Sequence, residues 1–199
     1  MRLVALLMAA GESTRMGSPK PLLPWDNRTL VEYQISQLLE GGAERVIVVL
    51  GHAADVVRPH IPTGQAEVVV NHRYREGRAS SVRAGASAIS EGVEAITILG
   101  VDQPRPSSVI RTVIDAHFRE GAIITVPTYE GRRGHPTVFD GSLLQEMLNV
   151  SEENLGLREI MTRHATEITE VEVSSPLVLA DLNTPNDYQR VKALITGGE

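Results

Sequence analysis

A loop near the start of the chain carries residue types that can bind phosphate. It spans Ala9 to Lys20 and follows six apolar residues, Leu3 to Met8. It holds two glycines and two cations, at Gly11, Gly17, Arg15 and Lys20. Glycines leave backbone amides accessible, and amides with fixed positive charge bind phosphate. The Walker spacing is absent, so an ordinary strand-to-helix turn with two surface cations is the alternative interpretation.

A carboxylate further along the chain is suited to a divalent cation. Asp102 follows the apolar run Ala95 to Leu99, and Pro104 stiffens the chain after it. Carboxylate oxygens are preferred ligands of Mg²⁺, although a loop aspartate also commonly caps a turn. Phosphate-binding cations on one loop and a carboxylate at a neighbouring strand end together indicate a metal–nucleotide site.

Alternating apolar patterns predict the elements that position these residues. Strands are predicted at Leu3–Met8, Arg45–Leu50, Glu67–Asn71, Ala95–Leu99, Ala122–Val126, Thr137–Phe139 and Glu167–Val173. Helices are predicted after the capping box Thr29–Glu32, at Ala53–His60, at Ser81–Ser90, after a cap at Ser107, at Leu143–Asn149, at Leu157–His164, and from Pro185 after a cap at Asn183 or Thr184. Repeated strand–helix units indicate a mostly parallel sheet covered by helices on both faces. In such a sheet, ligands bind across the carboxyl ends of the strands.

The composition excludes several classes of protein. The chain of 199 residues has no cysteine and a net charge of −6. The missing cysteines exclude disulfides and thiolate zinc sites and fit a cytoplasmic location. The negative charge argues against nucleic-acid partners, and the N-terminal apolar run is too short to span a membrane. An anionic ligand would therefore have to be bound by local cations.

Five segments, taken in order, resemble the MobA/MocA-type nucleotidyltransferases. They are Leu6–Gly11 with Arg15–Gly17 and Pro19–Pro24, Gly77 with Ser80, Ser81 and Gly85, Asp102–Pro104, Gly134–Pro136, and Asn183–Pro185 with Asp187. The resemblance covers nearly the whole chain. It implies an α/β fold, namely a three-layer α/β/α, Rossmann-like nucleotidyltransferase fold with a mostly parallel, mixed sheet. It also implies that residues 1–199 form a single nucleotidyltransferase domain. Members of this family attach a nucleotide to molybdopterin, and sugar-nucleotide and diphosphocytidyl-methylerythritol transferases are more distant relatives.

The resemblance also implies roles for individual residues. The nucleotide-binding set would be Ala9, Ala10, Gly11, Arg15, Lys20, Gly77, Ser80, Ser81 and Asp102. The catalytic set would be Arg15, Lys20 and Asp102, with Asp102, Asp181 and Asn183 as candidate contacts to Mg²⁺. Gly134 and His135 would lie on the acceptor side, where His135 either carries a proton or shapes the loop. An acceptor phosphate would attack the α-phosphorus of a nucleoside triphosphate in line and release pyrophosphate. Such catalysis is mainly positioning and charge neutralisation.

Two positions depart from the family pattern. Val101 stands where the family commonly has glycine before the metal aspartate, with Gly100 one place earlier, and Asn183 stands where many relatives carry aspartate. The β-branched Val101 restricts the backbone, and Asn183 removes one negative charge from the metal shell. Ala10 resembles the cytidylyl branch rather than the guanylyl branch, which tends to have glycine there. Its methyl group leaves less room near a base, which favours CTP over GTP.

Three functions are therefore open. The first is a molybdopterin cytidylyltransferase, whose product would be delivered to a molybdoenzyme or its chaperone. The second is a nucleotidyltransferase for another phosphorylated acceptor, such as a sugar, a polyol or a phospholactate-like compound. The third is a nucleotide-binding protein of the same fold without turnover, an option that Val101 and Asn183 keep open.

Overall fold

The computed structural model describes residues 2–13 and 16–196. The strands in these ranges are β1 (Leu3–Ala9), β2 (Pro24–Trp25), β3 (Arg28–Thr29), β4 (Arg45–Leu50), β5 (Glu67–Val70), β6 (Ala95–Gly100), β7 (Ile124–Tyr129), β8 (Arg132–Arg133), β9 (Thr137–Asp140) and β10 (Ile168–Glu172). The α-helices are α1 (Leu30–Glu40), α2 (Ala54–Val57), α3 (Arg78–Ala86), α4 (Ser107–Glu120), α5 (Leu144–Asn149), α6 (Leu157–Arg163) and α7 (Pro185–Thr196).

Eight of these strands form one mixed sheet. The order is β10-β7-β9-β6-β1-β4-β5, and β8 pairs with β7. β1 is an interior strand, parallel to both β4 and β6, whereas β9 runs antiparallel between β6 and β7. The predicted mostly parallel, mixed sheet is confirmed.

Helices cover both faces of the sheet, so the predicted three layers are confirmed. Side chains of β1 alternate between two apolar clusters, with Leu3, Ala5 and Leu7 in one and Val4 and Leu6 in the other. The first cluster includes residues of α1, α4 and α7, and the second includes residues of α3, α5 and α6. Burial on both faces explains the continuous apolar sequence of β1.

The helix starts are only partly as predicted. The capping box between Thr29 and Glu32 is present at the start of α1, and Thr184 and Asp187 cap α7 by reciprocal bonds. The start predicted at Ser81 is wrong, because α3 begins at Arg78, after Gly77 with a φ of 103°.

Two further boundaries also differ from the predictions. Ser107 is the first residue of α4 rather than its cap, and its N–H donates to the Gln37 side chain instead. The helix predicted at Ala53–His60 is divided into α2 and a 3₁₀ turn at Arg58–His60. Within the described ranges, no helix is both long and apolar enough to cross a membrane.

Candidate active site

A cavity of about 910 Å³ opens at the carboxyl ends of β1 and β6. The predicted site residues that line it are Ala9, Ala10, Gly11, Lys20, Gly77, Ser81, Asp102, Gly134 and His135. Ligands of open α/β sheets bind at this edge. Segments far apart in the sequence therefore meet around one space, as the sequence predicts.

Lys20 and Asp102 form an ion pair in this cavity. Lys20 Nζ donates to Asp102 Oδ2 at 2.9 Å and lies 3.5 Å from Asn183 Oδ1. The pair is part-buried, with side-chain exposures of 13% for Lys20 and 31% for Asp102. A Cβ on Gly100 would lie 2.5 Å from Asp102 Oδ1, so the bare backbone of Gly100 leaves room for the carboxylate.

The segment with Asp181 and Asn183 is fixed to the end of β6. The N–H of Leu182 donates to the Asp102 carbonyl at 2.8 Å. Gln103 Nε2 donates to Asp181 Oδ1 at 3.0 Å, and Gln103 Oε1 accepts from the Gly100 N–H. The structure thus brings the three predicted metal contacts to one strand end, although only Asp102 among them lines the cavity.

The donor atoms at this strand end fit a metal ion that arrives with a phosphate. Within the described ranges, no group of three or more His, Cys, Asp or Glu could hold a metal by itself. Mg²⁺ commonly binds through one or two carboxylates, several waters and substrate phosphates. The Asp102 carboxylate fits such a shell.

The leading loop forms one wall of the cavity. An ideal Cβ at Gly11 would meet no atom within 4 Å, so protein packing does not require glycine there. Ser13 Oγ accepts from the N–H of Lys20 at 3.0 Å, which fixes the start of the Lys20–Leu22 turn. Arg15, predicted as a second phosphate cation, lies outside the described residues.

Ser80 and Ser81 hold different positions relative to the cavity. Both hydroxyls accept from the buried Asn71 amide, at 2.8 and 3.0 Å. Ser80 Oγ also lies within hydrogen-bond distance of the Arg73 and Gly77 carbonyls, and Ser80 does not line the cavity. Ser81 does line it, and because its oxygen accepts from Asn71, its proton can be donated to a ligand.

His135 lines the cavity and lies beside a buried arginine, Arg105. Burial, and next the nearby Arg105 charge, lower the pKa of His135 to about 4. The imidazole is therefore neutral at physiological pH, which leaves it a hydrogen-bonding group rather than a cation. Gly134 packs against the backbone, because a Cβ there would lie 2.1 Å from the Val178 carbonyl oxygen. The peptide bond between His135 and Pro136 is cis.

Arg105 connects three segments of the site through hydrogen bonds, and no pattern in the sequence indicated this role. The side chain is fully buried and donates to the carbonyl oxygens of His135, Pro104, Ala180 and Val178. Burial lowers its pKa to about 10, so it stays charged at neutral pH. It joins the end of β6, the 134–136 loop and the 178–181 segment.

Several other residues of the site were also missed. Gln34 of α1 donates to the Gly100 and Gln103 carbonyls. Its position four residues from both Leu30 and Leu38, on the apolar face of the predicted helix, was a signal in the sequence. Glu152 and four further cations that line the cavity were not assigned to the site from the sequence. Those cations are Arg75, Arg78, Arg133 and Arg158.

A family model for the MobA-like NTP transferase domain matches residues 5–168. The chain belongs to the MobA-like NTP transferase family. The predicted resemblance is confirmed, and the matched range contains most of β1, its loop, α3, Asp102 and the 134–136 loop.

Named relatives of this MobA-like protein have different activities. Over 94% of both chains it is 31% identical to the nicotine blue oxidoreductase of Paenarthrobacter nicotinovorans. Over 96% of both chains it is 27% identical to the molybdenum cofactor cytidylyltransferase of Escherichia coli.

Solved structures include neighbours with the same fold. Rv0371c of Mycobacterium tuberculosis aligns with a TM-score of 0.82 and 26% identity, over 96% of this chain and 98% of that one. A complex of Rv0371c with manganese aligns at a TM-score of 0.77 and 24% identity over the same shares.

Proposed function

We propose that this protein is a cytidylyltransferase that transfers CMP from CTP to a phosphorylated acceptor such as molybdopterin and releases pyrophosphate. The observation that carries the proposal is the meeting of Lys20, Asp102 and Asn183 at the edge of a cavity large enough for a nucleotide. Membership of the family supports the reaction type, and the similarity to the cytidylyltransferase supports the base and the acceptor.

Lys20 and the Gly11 loop would bind the triphosphate. The ammonium would move from Asp102 to the phosphate oxygens, and the open space beside Gly11 admits a ligand close to the backbone. Arg15 is proposed as a second phosphate cation. Positioning and charge neutralisation of this kind stabilise a phosphoryl-transfer transition state.

Asp102 would hold Mg²⁺, with Asp181 and Asn183 as supporting contacts. When bound, the ion would neutralise charge on the phosphate oxygens. The manganese complex of Rv0371c supports a divalent cation on this fold. Ser81 would donate to the nucleoside, while Ser80 and Gly77 would shape the turn that presents it.

The preference for CTP over GTP is part of the proposal and rests on Ala10. The Ala10 methyl group lies in a packed position, because a Cβ on Gly51 would lie 2.8 Å from the Ala10 Cβ. It therefore cannot easily move aside for a purine. Isothermal titration in Mg²⁺ should show tighter binding of CTP than of GTP. Ala10→Gly should reduce the difference between the two affinities. Tighter binding of GTP than of CTP by the wild type would contradict the proposed preference.

The acceptor side would be formed by Gly134, His135 and the neighbouring cation Arg133, which lines the cavity. Since the net charge is negative, this local cation is what would attract an acceptor phosphate. Molybdopterin, a sugar phosphate and a polyol phosphate all carry that group. Delivery of a product to a molybdoenzyme or its chaperone, and a cytoplasmic location, remain predictions.

The test is a pyrophosphate-release assay with four triphosphates and a panel of phosphorylated acceptors that includes molybdopterin. Release with CTP and molybdopterin, lost in Asp102→Ala, supports the proposal. Pyrophosphate release with a different acceptor supports the second hypothesis, a nucleotidyltransferase for another phosphorylated compound.

A second candidate function is oxidoreduction, which is favoured only by the relative named nicotine blue oxidoreductase. Nucleotide binding without release of pyrophosphate from the triphosphate, whichever acceptor is supplied, would contradict the transferase. A reduction assay with that dye as substrate would then separate an oxidoreductase from a binding protein.

A further inference from the structure

A carboxylate from a distant segment, that of the exposed residue Glu152, lies at the start of α3 and lines the cavity. Glu152 Oε2 accepts a hydrogen bond from the N–H of Ala79 at 2.8 Å, although 73 positions separate the two residues. Gly77 allows this approach, because a Cβ there would lie 2.3 Å from the Glu152 carboxyl carbon. One oxygen of the carboxylate is therefore anchored.

The loop that carries Glu152 is itself closed by hydrogen bonds. The N–H of Gly156 donates to the Ser151 carbonyl at 2.8 Å, and the N–H of Leu155 donates to the Glu152 carbonyl at 3.1 Å. Glu152, Leu155 and Gly156 all line the cavity. The anchored carboxylate is thus presented by a compact turn rather than by an extended chain.

The second oxygen of Glu152 has no hydrogen-bond partner among the described residues. An ionised carboxylate only accepts hydrogen bonds, and it repels phosphate. The part of a nucleotide that lies beside it must therefore be a neutral donor. Lys20 and Asp102 mark the phosphate end of the same cavity, which leaves the nucleoside for the end formed by Gly77, Ser81 and Glu152.

We infer that Glu152 is a specificity-determining residue that reads the base of the nucleotide by accepting a hydrogen bond from an exocyclic amino group. This inference rests on the proposed function and goes beyond it, because the preference based on Ala10 concerns size alone. Cytosine carries an amino group at position 4, whereas uracil carries a carbonyl oxygen there. A carboxylate facing that oxygen brings two acceptors together, so the site should accept CTP and reject UTP.

Glu152→Gln is a sharp test because the amide can keep the structural bond. Its oxygen must still face the Ala79 N–H, since an amino group there would place two donors together. The NH₂ group then faces the ligand, where it opposes the cytosine amino group and suits the uracil oxygen. A purely capping role of Glu152 would instead change CTP and UTP binding equally.

The experiment is isothermal titration of the full-length protein in Mg²⁺ with CTP, UTP and dCTP. Wild type should bind CTP about tenfold more tightly than UTP, as a hydrogen bond to a charged group implies. Glu152→Gln should lose about tenfold in CTP affinity and bind UTP at least as well as CTP. The neighbouring Glu153→Gln, with the same charge change, should keep the wild-type ratio.

Three results would overturn the inference. An unchanged CTP-to-UTP ratio in Glu152→Gln would show that Glu152 does not read the base. A changed CTP-to-dCTP ratio with an unchanged CTP-to-UTP ratio would assign the carboxylate to the ribose. No binding of any triphosphate to wild type would overturn the proposed function together with this inference, whereas the first two results leave the transferase intact. Thermal unfolding of each variant confirms that the fold is kept.

Discussion

Lys20 Nζ lies 2.9 Å from Asp102 Oδ2, so the cation predicted to bind phosphate and the carboxylate predicted to bind metal neutralise each other in this structure. A metal ion or a triphosphate that binds alone must break this ion pair and leave one of the two side chains without its partner. A metal–triphosphate complex instead supplies both Lys20 and Asp102 with a new partner. Metal and nucleotide should therefore bind cooperatively at this pair.

Replacing Lys20 should move metal binding and activity in opposite directions. Lys20→Met removes the competitor for the Asp102 carboxylate, so Mn²⁺ measured without nucleotide should bind more tightly. Pyrophosphate release should fall by about 10²–10³-fold, the usual loss for one charge-stabilising group. Lys192→Met, at the other lysine of the chain, is the control. Weaker Mn²⁺ binding in Lys20→Met would contradict competition within the pair.

An added methyl group should reduce CTP affinity at one glycine of the site and reduce the stability of the fold at another. Gly11→Ala meets open space, so the free energy of unfolding should change by less than about 0.5 kcal/mol, while CTP affinity falls. Gly134→Ala meets the Val178 carbonyl at 2.1 Å, so its unfolding free energy should fall by about 1–3 kcal/mol. Urea unfolding and calorimetric titration of both variants check this. Normal CTP binding by Gly11→Ala would exclude close ligand approach at that wall.

His164 should contribute more to the free energy of unfolding in mild acid than at alkaline pH. Its two ring nitrogens lie 2.8 Å from the carboxylates of Glu146 and Glu167, and hydrogen bonds to Glu167 and then Glu146 raise its pKa. The stabilisation is fully present below the unfolded pKa of about 6.5 and disappears as pH rises through the folded pKa. His164→Gln should therefore lose more stability at pH 5.5 than at pH 8.5 in urea unfolding. An equal loss at both pH values would contradict a charged His164.

The fold could be predicted because its signals are local. The continuous apolar run of β1 and the capping box at Thr29 each follow from a few neighbouring residues. The glycines and charges of the site had motif spacing, which the resemblance used. Their convergence on one cavity followed from the rule that ligands bind at the carboxyl ends of parallel strands.

What could not be predicted depends on contacts between distant segments. The start of α3 at Arg78 is supported by a carboxylate 73 positions away from Ala79, and the start of α4 is supported by Gln37. Arg105 follows a recognised motif, but its role comes from carbonyls that only the folded chain brings together. No periodicity in the sequence encodes such contacts.

His135 should make stability fall in acid. Its folded pKa of about 4 lies below the unfolded value, so the unfolded chain takes up the proton first. Stability should therefore fall as pH decreases from about 6.5 to 4, by about 3 kcal/mol from this residue. His135→Gln should flatten that part of the urea-unfolding profile relative to wild type. A parallel profile in the variant would show that His135 titrates normally.

Arg105 should be required for both stability and geometry of the acceptor side. Arg105→Met removes the side chain that donates to four carbonyl oxygens, of which the Val178 oxygen keeps the His135 N–H as a donor. The expected cost is roughly 3–5 kcal/mol in the free energy of unfolding. Arg105→Lys keeps the charge but cannot reproduce the planar fork, so it should recover only part of that stability. If Arg105 positions the 134–136 loop, the lysine variant should raise the KM for the acceptor while CTP affinity stays near wild type. A fall in CTP affinity with an unchanged acceptor KM would instead place its influence on the nucleotide side of Asp102.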